Sequence, residues 1–317
     1  MNKTIIKIRN TSTNIRIHEY FTWIKDILRW QNEGFDITII LLDLQNLLRF
    51  KSDKLAGDRS YDIVASLSSA GINFNKVNVV FQSRLSEIQE CANYLQYFGL
   101  LANKSVDDIL RDKKIINDSK FVISLFSELA VTMIFNADII LIEEKEDVKK
   151  IELARFLINK FNSNFRKDLI KMPQFFLLGF PKLMGLDGDK NLNDTNCLLL
   201  SDSQNIVRKK ILTAKTDSDL VVRFDVKRKP QISNLINLYK LLTSETYDEI
   251  EDKFREEKYS NFKNDFIDQM NKFSKHFIKS QNDRNEIEKL LSKSHQKIGC
   301  ELRRNMENIK KALGIFI

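Results

Sequence analysis

Arg9, Arg16 and His18 lie close together where a strand-like segment gives way to a helix-like one. Cations at the start of a helix, beside its free backbone N–H groups, are suited to holding a phosphate or another anion. Asn10 and Thr13, from the same turn, could add polar contacts, and Lys190, in the polar stretch DGDKNLNDTN, could add a further charge. A second kind of chemistry is suggested by Glu128, an acid within the apolar run ELAVTMIF. It would suit a pocket for a cationic or amine-bearing ligand, or else it is partly solvated. A third is a basic face. Lys289, Lys293 and Lys297 repeat every fourth residue, and Arg303, Arg304, Lys310 and Lys311 follow on the same segment. Such spacing places charges along one side of a helix, where they could follow a nucleic-acid backbone or simply be solvated.

Other chemistries are disfavoured. Cys91, Cys197 and Cys300 are far apart with no CxxC spacing, and there are only three histidines. The cysteines read as reduced thiols of a cytoplasmic protein, with neither a metal site nor a disulfide framework. No run of about 18 apolar residues suggests a membrane span, and MNKTIIKIRN lacks the apolar stretch of a signal peptide. The net charge of +8, most of it carried by the last third of the chain, suits a polyanionic partner. An AT-rich genome, favouring Lys, Asn and Ile, would give the same bias.

The elements that must position these residues follow two patterns. In the first half, Thr4 to Ile8, Asp36 to Leu42, Lys76 to Phe81 and Ala137 to Ile142 read as strands, the second an apolar, β-branched run suited to a buried parallel sheet. Tyr20 to Trp30, Arg59 to Ala70, Glu87 to Leu100 and Glu146 to Phe161 read as helices between them. That alternation predicts an α/β, doubly wound Rossmann domain over residues 1–200. Beyond it the reading is helical to the end of the chain, giving a second domain over 201–317. Phe262, Phe266, Met270, Phe273 and Phe277 form one apolar stripe, read as core.

Several segments, in order, resemble the bacterial tryptophanyl-tRNA synthetases. KVNVVFQSRLSEIQECANYLQ, with Gln82, Ser83 and Glu87, is similar to the family's strand and QSxxPE helix start. KLMGLDGDK resembles the approach to its KMSKS loop, IVRKKILTAKTDSD the helix beyond, and KPQISNLINLYKLLTSETYDEIEDKF its KPGxSNLL segment. The similarity runs almost ungapped from Lys3 to the C-terminus. It implies a class I synthetase-like Rossmann domain that takes ATP, with magnesium, and tryptophan, a helical domain that contacts tRNA, and a homodimer.

The resemblance fails at the residues that do the family's chemistry. Against its GxQPSGxxHIG loop the chain reads Ile8 through His18: all three glycines are lost, Arg16 stands for the histidine, and His18 would occupy adenine space. Of the KMSKS motif only Lys190 has a counterpart. The aspartate that reads the indole N–H is Val131, the family's methionine is Glu128, Gln45 stands where the family has a histidine, and the glutamine after GED is Val148. A buried indole N–H without an acceptor costs about 1–3 kcal/mol. The expectation is a protein, with degenerate motifs, that does not charge tRNA with tryptophan in the ordinary way and binds tRNA or aminoacyl-tRNA in a regulatory or biosynthetic role. A divergent but active ligase, with Arg16 and His18 forming a new anion site, and a ligand-free dimeric scaffold stand as alternatives.

Overall fold

The computed structural model describes residues 3–11, 13–44, 56–101, 119–142, 148–165, 168–179, 183–275, 277 and 284–315. Five parallel strands form one sheet in the order β3-β2-β1-β4-β5. They are β1 (Thr4–Asn10), β2 (Asp36–Leu42), β3 (Val77–Phe81), β4 (Ile139–Ile142) and β5 (Gln174–Leu177). Parallel strands are joined by crossovers that cover both faces, so β2 and β3 can be apolar almost throughout. Every residue of β2 after Asp36, and all of β3, is buried. β5 is not evident from the sequence because it is short, lies at the sheet edge and is largely exposed.

One helical run, α1, follows β1: Ile17–Glu19, a π-helical turn at Tyr20–Ile24, then Lys25–Glu33, ending on left-handed Gly34. The π turn inserts a residue, and Trp23 and Ile24 are fully buried against the sheet. Lys7, buried in the middle of β1, places its ammonium 5.4 Å from the Trp23 ring centroid. The remaining helices beside the sheet are α2 (Ala56–Ser69), α3 (Ser86–Leu101), α4 (Ser119–Ile134) and α5 (Val148–Asn164).

A second core is built from α6 (Gln204–Leu212), α7 (Pro230–Thr243), α8 (Tyr247–Lys253) and α9 (Tyr259–Ser274). Local rules set their ends. Ser203 caps α6 through its side chain, Pro230 opens α7 where no N–H is needed, and Thr246 with Glu249 forms a capping box on α8. Of the aromatic stripe, Phe262, Phe266 and Met270 are fully buried in this core. Phe273 and Phe277 instead meet Tyr20 and Phe21, with ring centroids 5.0–5.4 Å apart, and so join the helical layer to α1.

The terminal helix α10 (Arg284–Leu313) departs from the two-part reading. Its Ile287 and Leu291 enter one core beside the sheet, and Ile298, Leu302, Met306 and Ile309 enter the other. It also lies along β3, whose outer edge would otherwise be open, and a covered edge cannot pair with another chain. The boundary near residue 200 therefore sets off only the helices α6 to α9, and the last helix returns to the sheet domain. An amphipathic period shows that a helix has a buried face, but not which surface covers it.

Candidate functional site

In an open parallel sheet, ligands bind outside the carboxyl ends of the strands, where the strand order reverses. Here that place is the turn after β1. Asn10 is exposed, Thr11 and Thr13 are buried, and Arg16 and His18 are half-buried at the start of α1. Thr11 donates to the Leu42 carbonyl oxygen, which ties the turn to the end of β2.

The centre of the turn is Glu19, fully buried. Its carboxylate accepts from Arg9 Nε at 2.8 Å, from Arg9 Nη2 at 3.0 Å, from Arg16 Nε at 3.1 Å and from the Arg16 backbone N–H at 2.8 Å. The rest of the Arg9 guanidinium is engaged as well. It donates to the carbonyl oxygens of Asn10, Thr13 and Asn14 at 2.9, 3.1 and 2.9 Å. Burial by itself would raise the Glu19 pKa. Arg9, then Arg16 and His18, outweigh that and hold it well below the ordinary glutamate value of 4.5. Three free cations therefore do not assemble here. Arg9 is part of the scaffold: its side chain folds over the turn and satisfies the carbonyl oxygens of Asn10, Thr13 and Asn14. Glu19 does not stand out in the sequence, although an acid three residues after a helix start is a recognisable signal.

The polar loop that contains Lys190 and Asp194 is tied to this turn. Asp194 accepts the Asn14 backbone N–H at 2.8 Å and its side-chain N–H at 3.3 Å. Backbone bonds run from Ile17 N–H to the Leu198 carbonyl and from Leu200 N–H to the Ile15 carbonyl, both 2.9 Å. Lys210 reaches in from α6 and donates to the carbonyl oxygens of Asp194 and Cys197 and to the Asp202 carboxylate, all within 3.0 Å. Within the loop, buried Asn196 donates to Asp187 and to the Asn191 carbonyl and accepts from the Asn193 N–H. Gly185 packs so closely on this knot that an added Cβ would lie 2.4 Å from Asn196 Nδ2. Lys190 is exposed on this loop.

A narrow cleft remains between the two segments. Arg16 and His18 form one wall, and Leu183, Met184, Leu186, Leu192, Leu198 and Leu238 supply most of the rest. It is mainly apolar and carries Arg16 at one side.

The residues expected in an amino-acid pocket lie elsewhere. Val131, on α4, is fully buried in the apolar core. Glu128, one turn earlier, is half-buried and meets a cation of this chain: Lys150 Nζ, from α5, lies 2.7 Å from its carboxylate, and Ser124 Oγ donates to it at 3.4 Å. An amine-bearing ligand would have to displace Lys150. Gln45 and the stretch after β4 lie outside the described residues. After β3, Ser83 donates its backbone N–H and its hydroxyl to Asp43, while Gln82 is buried with no hydrogen-bond partner for either amide atom among the described residues.

The basic residues of α10 divide into two groups. Lys297 pairs with Asp36, Arg303 with Glu87 and Lys310 with Glu90, so these three fasten α10 to the sheet domain. Lys289, Lys293, Arg304 and Lys311 are exposed. Among the described residues no group of three or more His, Cys, Asp or Glu side chains is placed to hold a metal ion, and no helix is long and apolar enough to cross a membrane.

The strand order, the turn after β1 facing a loop that precedes a helical layer, and a cleft between them define a doubly wound, Rossmann-type protein. The profile of the tRNA synthetases class I (W and Y) matches residues 8–275, and the chain belongs to that family. It is 26% identical to the tryptophan–tRNA ligase of Rickettsia prowazekii over 333 residues, covering 100% of both chains. It is 25% identical to that of Malacoplasma penetrans over 338 residues, covering 99% of this chain and 98% of the relative. The fold is also that of solved tryptophanyl-tRNA synthetases. The Mycoplasma pneumoniae structure superposes with a TM-score of 0.78 at 17% identity, over 99% of this chain and 98% of the other. The Campylobacter jejuni structure complexed with ADP and tryptophan gives 0.75 at 19% identity, over 98% and 100%.

Proposed function

We propose that this tryptophanyl-tRNA synthetase-like protein does not charge tRNA with tryptophan in the ordinary way, and that it binds tRNA or aminoacyl-tRNA in a regulatory or biosynthetic role, as a cytoplasmic homodimer. The observation that carries the proposal is Glu19. A family member must present positive charge to the leaving pyrophosphate, and donors placed for that purpose are worth about two to three powers of ten in rate each. In this chain Arg9 and Arg16 are both engaged by a buried carboxylate, and the turn that holds them is bonded to Asp194. ATP with magnesium is the co-substrate of the family's reaction. These residues do not fit its triphosphate, because Arg9 is buried with its donors spent on Glu19 and three carbonyl oxygens, and Arg16 is paired with the same carboxylate.

The exposed Lys289, Lys293, Arg304 and Lys311 support the RNA-binding part of the proposal. An electrophoretic shift with total tRNA is expected to show binding that weakens steeply with salt. Each phosphate contact contributes a slope of about 0.9 in log K against log salt on a duplex. Replacing Lys289 and Lys293 together by Ala should lower the slope by about 2 at unchanged fold. No binding at about 50 mM salt would refute this role and leave the ligand-free scaffold.

A second reading, a divergent active aminoacyl-tRNA ligase, is favoured by the cleft beside Arg16 and His18. It would take a planar apolar group against the leucines. Nucleotide co-purifying with the protein would be its sign.

A further inference from the structure

His295 lies at the centre of the contact between α10 and the outer edge of the sheet. Its Nε2 accepts the backbone N–H of Phe81, the last residue of β3, at 2.8 Å. Its Nδ1 lies 2.6 Å from the Leu291 carbonyl oxygen. One ring nitrogen therefore has to accept and the other to donate, which only the neutral imidazole with its proton on Nδ1 satisfies. The ring also stacks on Phe81, with centroids 5.9 Å apart and planes 23° apart.

We infer that His295 is an acid-released latch that fastens α10 to the edge of β3 and, through Phe81, sets the turn at the carboxyl end of that strand. Protonation puts a second N–H on the ring. The Phe81 N–H, on a residue that is itself buried, then faces a donor in place of an acceptor. Ser83, two residues on, is held by Asp43, so the turn that carries Gln82 and Ser83 is fastened at one end by His295 and at the other by Asp43.

Charged groups from each element packed on the ring set its titration. Glu288, on α10 itself, pairs with Arg84 from the turn after β3, and the Tyr61 hydroxyl of α2 donates to Glu288. Asp43 stands beyond the end of β2. Further along α10, Lys297 faces Asp36 and Arg303 faces Glu87. Glu288 and Asp43 favour the imidazolium, and Arg84 opposes it. Burial is the largest influence and disfavours the charged form, so His295 takes its proton below the ordinary value of 6.5. As pH falls below 6.5, the unfolded chain binds this proton before the folded one does, and stability decreases toward acid until the folded histidine also titrates.

The test is residue-resolved amide exchange, corrected for intrinsic rates, in the full chain at about pH 7.5 and about pH 5.5, on either side of the ordinary histidine pKa, beside His295→Gln. The glutamine carbonyl can accept from Phe81 but does not titrate. In the wild type, protection at Phe81 should fall by up to about tenfold at the lower pH, the most that one histidine with an ordinary pKa in the opened state can supply, while the central strand β1 keeps its own. In His295→Gln it should be the same at both pH values. Equal wild-type protection at the two pH values, or an equal loss in β1, would overturn the latch. If His295→Gln does not fold, the imidazole ¹⁵N shifts of the wild type decide. An Nδ1–H tautomer that titrates below 6.5 upholds the latch, and an Nε2–H tautomer, or none that titrates before global unfolding, overturns it.

Discussion

Glu19→Gln should lower the stability of this protein by about 3 kcal/mol or more, because removing one partner from a buried ion pair leaves the other charge uncompensated. The amide can accept one bond but carries no charge, and Arg9 and Arg16 then face each other across it. Arg9 keeps its three carbonyl partners, which places the loss at the lower end of the usual range. Urea denaturation measures it, with exposed Glu256→Gln as the control, expected to change stability by less than about 0.5 kcal/mol. The pH dependence gives an independent check. The folded-state pKa of Glu19 is depressed, so its contribution is fully present above about 4.5 and is lost as pH falls through the folded value. Between those values the wild type should lose stability toward acid more steeply than Glu19→Gln. A variant as stable as the wild type would mean that Glu19 does not organise the turn.

Val131→Asp, which puts a carboxylate where the family resemblance expects an indole-reading one, should not confer tryptophan binding and should cost about 3 kcal/mol or more. Val131 is fully buried in a cluster of apolar side chains from α4 and its neighbours. Burial raises the pKa of an introduced carboxylate. The deficit should therefore be smallest in acid, where the aspartate is neutral in both states, and grow as pH rises through the unfolded aspartate value. Calorimetric titration with tryptophan reads the binding. A stable variant that binds tryptophan would show that the pocket is intact and lacks only its acceptor.

The sheet is legible in the sequence because its strands are buried on both faces. Four apolar runs of β-branched residues, each followed by a helical period, give the doubly wound order almost unaided. β5 is not legible, since QFFL is short and exposed, and the placement of α10 is not, since Ile287, Leu291, Ile298 and Leu302 show a buried face without showing what buries it. At the site, a turn without glycine between Ile8 and His18 can be read from residue types alone. What its side chains do cannot. Arg9, Arg16 and His18 look like an anion site in one dimension, and only the folding of Glu19 back into the turn shows that two of those charges are already engaged. Glu128 is the same case: its partner, Lys150, is 22 residues away and comes from the next helix.

Closure of the candidate nucleotide site by the chain's own charges is tested most directly by ATP–pyrophosphate exchange with purified protein and tryptophan, with and without total tRNA. The expected result is no exchange above a protein-free control from a folded preparation. Exchange driven by tryptophan would contradict closure, and would mean that Glu19 and Asp194 release Arg9, Arg16 and Asn14 when ATP binds.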